Sequence, residues 1–148
     1  MPMYQCQSPV GTLSDSVRPE VVREITRIHC ENTGVPSSFV HVVFQDMPSG
    51  AQYSDNEVDL RTSTINCIIR AGRTVQTRQT IMKEISAAWS RLTGQPEFQL
   101  VIRIFEANPE AIMEFGLVLP APGDEEAWMA ENATALASAQ ADPVAGGS

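Results

Sequence analysis

The first residue in this 148-residue chain that could do chemistry is Pro2. A small second residue permits removal of the initiator methionine, which would leave proline as a free secondary amine. An α-amino group titrates near ~7.7–8, close enough to neutrality to act as a base or an acid. Arg70 and Arg73 come next, spaced Arg-x-x-Arg where a β-rich run gives way to a helical one. Loops at such junctions carry function, and two guanidinium groups there can grip one carboxylate through paired hydrogen bonds. Their field would also disfavour protonation of a nearby amine and pull its pKa down. His29 falls on or beside the apolar stripe of a helix, where a lone histidine is ordinarily a core residue. Glu114 follows Pro109 in a stretch read as a short helix, where a carboxylate near the N-terminus is common. Arg103 projects from the middle of a strand and needs an ion-pair partner, solvent or a site. His41, also in a strand, has no supporting neighbour and reads as structural.

Two similar stretches must position these residues. Met3 to Gln7 reads as a short strand, followed by a helix over Asp15 to Thr33, with Ser14 as its N-cap. Val21, Val22, Ile25, Ile28 and His29 fall near one face of it. Gly34 and Pro36 stop the helix, and Phe39 to Phe44 is a β-branched and aromatic run. About sixty residues on, the pattern returns. Thr64 to Arg70 reads as a strand, broken by Gly72. Thr74 caps a helix with the stripe Ile81, Ile85, Ala88, Trp89 and Leu92, which Gly94 and Pro96 stop. Phe98 to Phe105 is again a strand, with Leu100, Ile102 and Ile104 on one face.

The fold expected is therefore α+β: two tandem βαβ units, giving a four-stranded sheet with two helices on one face and right-handed crossovers. Asp46 to Arg61 reads as a loop with at most one short edge strand. Asn108-Pro109 opens the short helix that Gly116 closes. A domain over residues 2–128 is expected, with 129–148 an acidic, flexible tail. The bare sheet face and open edges call for self-association.

Composition narrows the function further. Ten basic residues face eighteen acidic ones, and the net charge of −8 resides entirely in the residues after Arg103. A nucleic-acid partner is not expected, since phosphate binding needs a basic face. No apolar run reaches eighteen residues, which argues against a membrane span. The N-terminus lacks the basic-then-apolar layout of a secretory signal, so a cytoplasmic location is expected. Cys6, Cys30 and Cys67, odd in number and without paired spacing, argue against a disulfide framework and against a metal site. Nine of the ten bases are arginine, whose planar fork suits carboxylates.

Taken together, the sequence resembles the tautomerase superfamily, and most closely its cis-3-chloroacrylic acid dehalogenase group. Three stretches between Pro2 and Trp128 carry the likeness. They are the Met-Pro start, Ile68-Ile69-Arg70-Ala71-Gly72-Arg73, and Glu106 through Trp128. The last holds Pro109, Met113-Glu114-Phe115-Gly116, Leu119-Pro120-x-Pro122-Gly123, Glu126 and Trp128. The resemblance implies that Pro2 is the general acid or base and that Arg70 and Arg73 hold a substrate carboxylate. It also implies that His29 contacts the substrate carboxylate or carbonyl, and that Glu114 positions or activates water. It implies a homotrimer acting on a small carboxylate, with no metal and no organic cofactor.

One departure bears on the reaction. Where the dehalogenases carry a tyrosine that helps the glutamate handle water, this chain has Arg103, and Phe115 also stands where tyrosine is common. A third arginine should pair with Glu114, weakening it as a base, and should lower the amine pKa further. Keto–enol tautomerisation by a neutral proline amine is therefore expected first. Hydration or dehalogenation of 3-haloacrylates or acetylenic acids comes second. A non-enzymatic binding protein on the same scaffold is the third reading, favoured if Met1 is retained.

Overall fold

A computed structural model describes residues 1–141. The chain forms β1 (Met3–Pro9), α1 (Arg18–Thr33), β2 (His41–Met47), β3 (Tyr53–Ser54), β4 (Glu57–Val58), β5 (Ser63–Arg70), α2 (Val75–Thr93), β6 (Leu100–Ala107), β7 (Met113–Glu114), β8 (Leu117–Val118), α3 (Glu125–Glu131) and α4 (Ala133–Ala141). Two compact units result. One holds residues 1–69 and 73–105, the other residues 70–72 and 106 onward.

The first unit is the expected α+β arrangement. Its four-stranded sheet runs β2-β1-β5-β6, with β1 parallel to β2 and antiparallel to β5. Strict alternation along β5 shows how the sheet divides: Ser63, Ile65, Cys67 and Ile69 are buried, and the residues between them are half-exposed. The buried set joins Tyr4 and Cys6 of β1, Val21, Ile25 and Ile28 of α1, and Ile81, Ile85, Ala88 and Trp89 of α2 in one core. Both helices thus bury their apolar stripes against the same sheet face, each side chain contributing about 1.5–3 kcal/mol. The opposite face presents Gln5, His41, Val43, Gln45, Arg103 and Phe105 to solvent.

The helix ends follow their local chemistry. Gly34 and Gly94 each adopt a left-handed conformation (φ 75° and 77°) that a side chain would strain, and their N–H groups close the last turns on Cys30 and Ser90. Thr74 caps α2 as expected, its Oγ1 accepting from the Thr77 N–H at 3.0 Å. Ser14 does not cap α1. That helix starts at Arg18 with no side-chain cap and with Pro19 in the first turn, where the missing proline N–H leaves no intrahelical bond unmade. Arg18 instead fastens this end to β2, donating to Asp46 at 2.8 Å and lying 5.6 Å from the Phe44 ring centroid.

Two further expectations need correction. The polar segment after Asp46 holds a complete two-stranded hairpin, because Asp55 and Asn56 both take the left-handed φ (50° and 64°) of a tight turn. In the second unit, the stretch after Pro109 is only a single 3-10 turn, Pro109–Ala111. Glu114 lies on a β-hairpin, paired opposite Leu117. Phe115 and Gly116 supply that turn at φ 54° and 76°, so the glycine read as a helix stop reverses a strand. Helices α3 and α4 continue the chain to Ala141, and Leu136 is buried. Trp128 anchors the preceding helix by donating from Nε1 to the Val118 carbonyl at 3.0 Å. The rest of the predicted tail, 142–148, lies outside the described residues. Among the described residues, no helix is long and apolar enough to cross a membrane.

Candidate functional site

Pro2 stands immediately before β1 and is fully buried. Its carbonyl accepts from the His41 N–H at 3.0 Å, which holds the start of β1 against β2. By strand alternation Pro2 shares its side of the sheet with Tyr4, the side that α1 covers. His29, in the fourth turn of α1, is 2% exposed and meets Tyr4 directly. The Tyr4 hydroxyl lies 2.8 Å from His29 Nδ1, and the two rings meet edge to face, 5.8 Å apart at 81°. Helical position alone marks His29 as a core residue, and the family resemblance gives it a role; nothing in the sequence signals Tyr4, because its partner is twenty-five residues away.

Two positive charges act on this pair. Arg73 sits at the C-terminal end of α1, donating from Nη1 to the Thr33 carbonyl at 3.3 Å, where the helix dipole favours a cation. Burial first, then the Arg73 charge, then the amino-terminal charge lower the His29 pKa from 6.5 to about 4. The imidazole is therefore neutral at physiological pH. Burial pushes the Tyr4 phenol far above its usual range, so it keeps its proton. A buried neutral imidazole beside a cation and a chain terminus can donate or accept a hydrogen bond to an incoming carboxylate or carbonyl without carrying charge itself.

The remaining candidates are placed as follows. Arg70 is the last residue of β5, its side chain only 11% exposed. Its Nη2 donates to the Pro120 carbonyl at 2.8 Å and lies 3.4 Å from Glu125, while its Nε is buried with no acceptor. A buried guanidinium N–H without a partner costs free energy that an anionic ligand would recover. Gly72, between the two arginines, takes φ 108°, and a Cβ there would meet Pro122 at 3.4 Å, so the turn requires glycine. Glu114 is half-buried on its hairpin. Arg103 projects from the sheet face opposite the helices, its Nη1 3.5 Å from Asn66 Oδ1. Within the first unit, Pro2, His29 and Arg73 therefore come together on the helix-covered side, and Arg103 does not join them. A recess of about 470 Å³ in the second unit, lined by Trp128, Val118, Pro120 and Asp124 among others, holds none of the candidate residues.

The arginine bias has a partly internal explanation. Arg27 and Arg91 both donate to Glu24, and Arg18 to Asp46. Arg70 donates to the Pro120 carbonyl and lies near Glu125, Arg73 donates to the Thr33 carbonyl, and Arg103 lies beside the Asn66 amide oxygen.

A sequence-family profile described as "Putative oxalocrotonate tautomerase enzyme" matches residues 1–133. No curated protein matches the sequence significantly. Among solved structures, the chain is similar to native Ps01740, at 33% identity and TM-score 0.73 over 76% of this chain and 99% of that one. It is also similar to N1, a member of the cis-3-chloroacrylic acid dehalogenase family, at 26% identity and TM-score 0.86 over 95% and 99%. A fused 4-OT symmetric trimer shares the fold at 16% identity and TM-score 0.73 over 82% and 98%.

The neutral state of His29 has a measurable consequence. Its unfolded pKa, near 6.5, exceeds the folded value of about 4, so the unfolded chain binds more protons between those values. Stability is complete above pH 6.5 and should fall as pH drops toward 4. Melting temperature measured across this window should decline toward acid in the native protein and flatten in His29→Gln. An equal decline in both would remove His29 as its source.

Proposed function

The chain belongs to the tautomerase superfamily, in its cis-3-chloroacrylic acid dehalogenase-like group, and from that premise we propose a cofactor-independent isomerase with Pro2 as its general acid/base. The reaction is keto–enol tautomerisation of a small 2-oxo acid or dienol carboxylate. The observation that carries this reading is the meeting of buried Pro2, neutral His29 and the Arg73 charge on one side of β1. Loss of Met1 is required, because an acylated proline nitrogen has no usable lone pair.

In this mechanism the Pro2 nitrogen takes the proton of the enol hydroxyl, and the O–H electron pair becomes part of the carbonyl. The electrons of the carbon–carbon double bond form the new C–H bond, accepting a proton from the Pro2 ammonium. No net proton is gained or lost. Negative charge builds on the substrate oxygen, where His29 donates a hydrogen bond. Arg70 and Arg73, three residues apart on the turn after β5, hold the carboxylate; the unsatisfied Nε of Arg70 supports that role. The Arg73 cation also lowers the affinity of the Pro2 amine for a proton, favouring the base form.

Hydration is the second reading, supported by Glu114 and by the likeness to N1. In it Glu114 activates water for addition to a 3-haloacrylate. The absence at position 103 of the tyrosine found in that group weighs against it.

A homotrimer is the assembly we propose. The open sheet edges at β2 and β6, with Val43 and Phe105 exposed on the uncovered face, support it.

Ultraviolet assays of enol disappearance should show a loss of at least ~10²-fold in Pro2→Ala, with the N-terminus of the native protein checked by mass. Unchanged turnover would sink the proline mechanism. Halide release from cis-3-chloroacrylate, abolished in Glu114→Gln while tautomerisation persists, would move the assignment to the second reading.

A further inference from the structure

The hydrogen bond between Tyr4 and His29 carries more than packing. We infer that Tyr4 is a positioning residue that fixes His29 as its Nε2–H tautomer, so that the ring presents a donor to the substrate oxygen. This rests on the proposed reading of His29 as a substrate contact.

The argument is one of matched donors and acceptors. Tyr4 is 0% exposed and its hydroxyl lies 2.8 Å from His29 Nδ1, so the two groups must satisfy each other. Two arrangements are open: phenol O–H to imidazole nitrogen, or imidazole N–H to phenol oxygen. A phenol is a far stronger acid than a neutral imidazole N–H, and an imidazole nitrogen is a far better acceptor than a phenol oxygen. The first arrangement wins on both counts. Burial keeps the phenol protonated, so the proton is always present to donate. Cys67 of β5, a neighbour of the same hydroxyl, is likewise kept protonated by burial, its pKa raised to about 12. With Nδ1 accepting, a neutral ring carries its proton on Nε2.

Burial and the Arg73 charge both oppose a second proton on His29. The ring is thus limited to one proton by its surroundings and told where to hold it by the phenol. For an enol or enolate oxygen this supplies a fixed dipole that strengthens as charge develops, with no second acid competing with Pro2. The opposite tautomer would aim a lone pair at that oxygen.

The test uses the full chain with ¹⁵N-labelled histidine, in a His41→Gln background that leaves a single imidazole. Two-bond ¹H–¹⁵N correlation at neutral pH should show one tautomer, protonated at Nε2 with Nδ1 accepting. Tyr4→Phe should give a mixture of tautomers and lower kcat about tenfold with little change in KM, as expected when an interaction made in the transition state is lost. An Nδ1–H tautomer in the native protein overturns the inference, and this needs no variant to fold. So does a Tyr4→Phe protein that folds with its tautomer and kcat both unchanged. If the native protein turns over no 2-oxo acid enol, the functional reading fails, while the tautomer spectra still decide whether Tyr4 controls the ring.

Discussion

Everything in the first unit converges on keeping one histidine buried without charge. Removing a charged imidazole from water is expensive, and here the cost falls on an α-helix packed against the sheet face that carries Tyr4. The phenol satisfies one ring nitrogen, and Arg73, held by the last turn of α1, makes a second proton more costly still. The same contact joins β1 to α1 close to Pro2. Any shift of β1 relative to α1 would break a buried hydrogen bond and move the proline at the same time.

The tandem repeat shows how a symmetric scaffold acquires one site. Sixty residues after His29 stands Trp89, in the same place on the second helix. Both halves end their helices alike: Thr33 and Thr93 fold their hydroxyls back onto the His29 and Trp89 carbonyls, and glycine then turns the chain. The buried ring finds a different partner in each half. Trp89 donates from Nε1 to Gln95 at 2.7 Å, and Gln95 in turn donates to the Arg61 carbonyl, a closed structural network. His29 instead pairs with a phenol near the chain start, leaving its second nitrogen for chemistry.

Most of this scaffold was legible in the sequence because it rests on short-range signals. Gly34-x-Pro36 and Gly94-x-Pro96 mark helix ends, and the apolar stripes of α1 and α2 repeat at helical spacing. What escaped depends on distance or on backbone conformation. Glu114 was read into a helix because Pro109 and Gly116 frame it as a helix would be framed; the left-handed φ of Phe115, rare outside glycine, makes a hairpin instead. The tail after Trp128 reads as low-complexity, yet Leu136 is buried and the segment is helical. Tyr4 looked like one more strand residue because its partner lies on another element. Strand parity already sets Arg103 on the face away from Leu100, Ile102 and Ile104, and the structure shows it there beside Asn66.

The account turns on the protonation state of the amino-terminal proline. Titrating the Pro2 amine by ¹⁵N NMR, in protein whose mass confirms loss of Met1, measures it directly. The Arg73 charge, which also acts on His29, should place the Pro2 pKa below neutrality, making it a base at working pH. A pKa well above ~8, the ordinary value for an α-amino group, would mean a protonated proline suited to adding water, and would contradict the tautomerase mechanism.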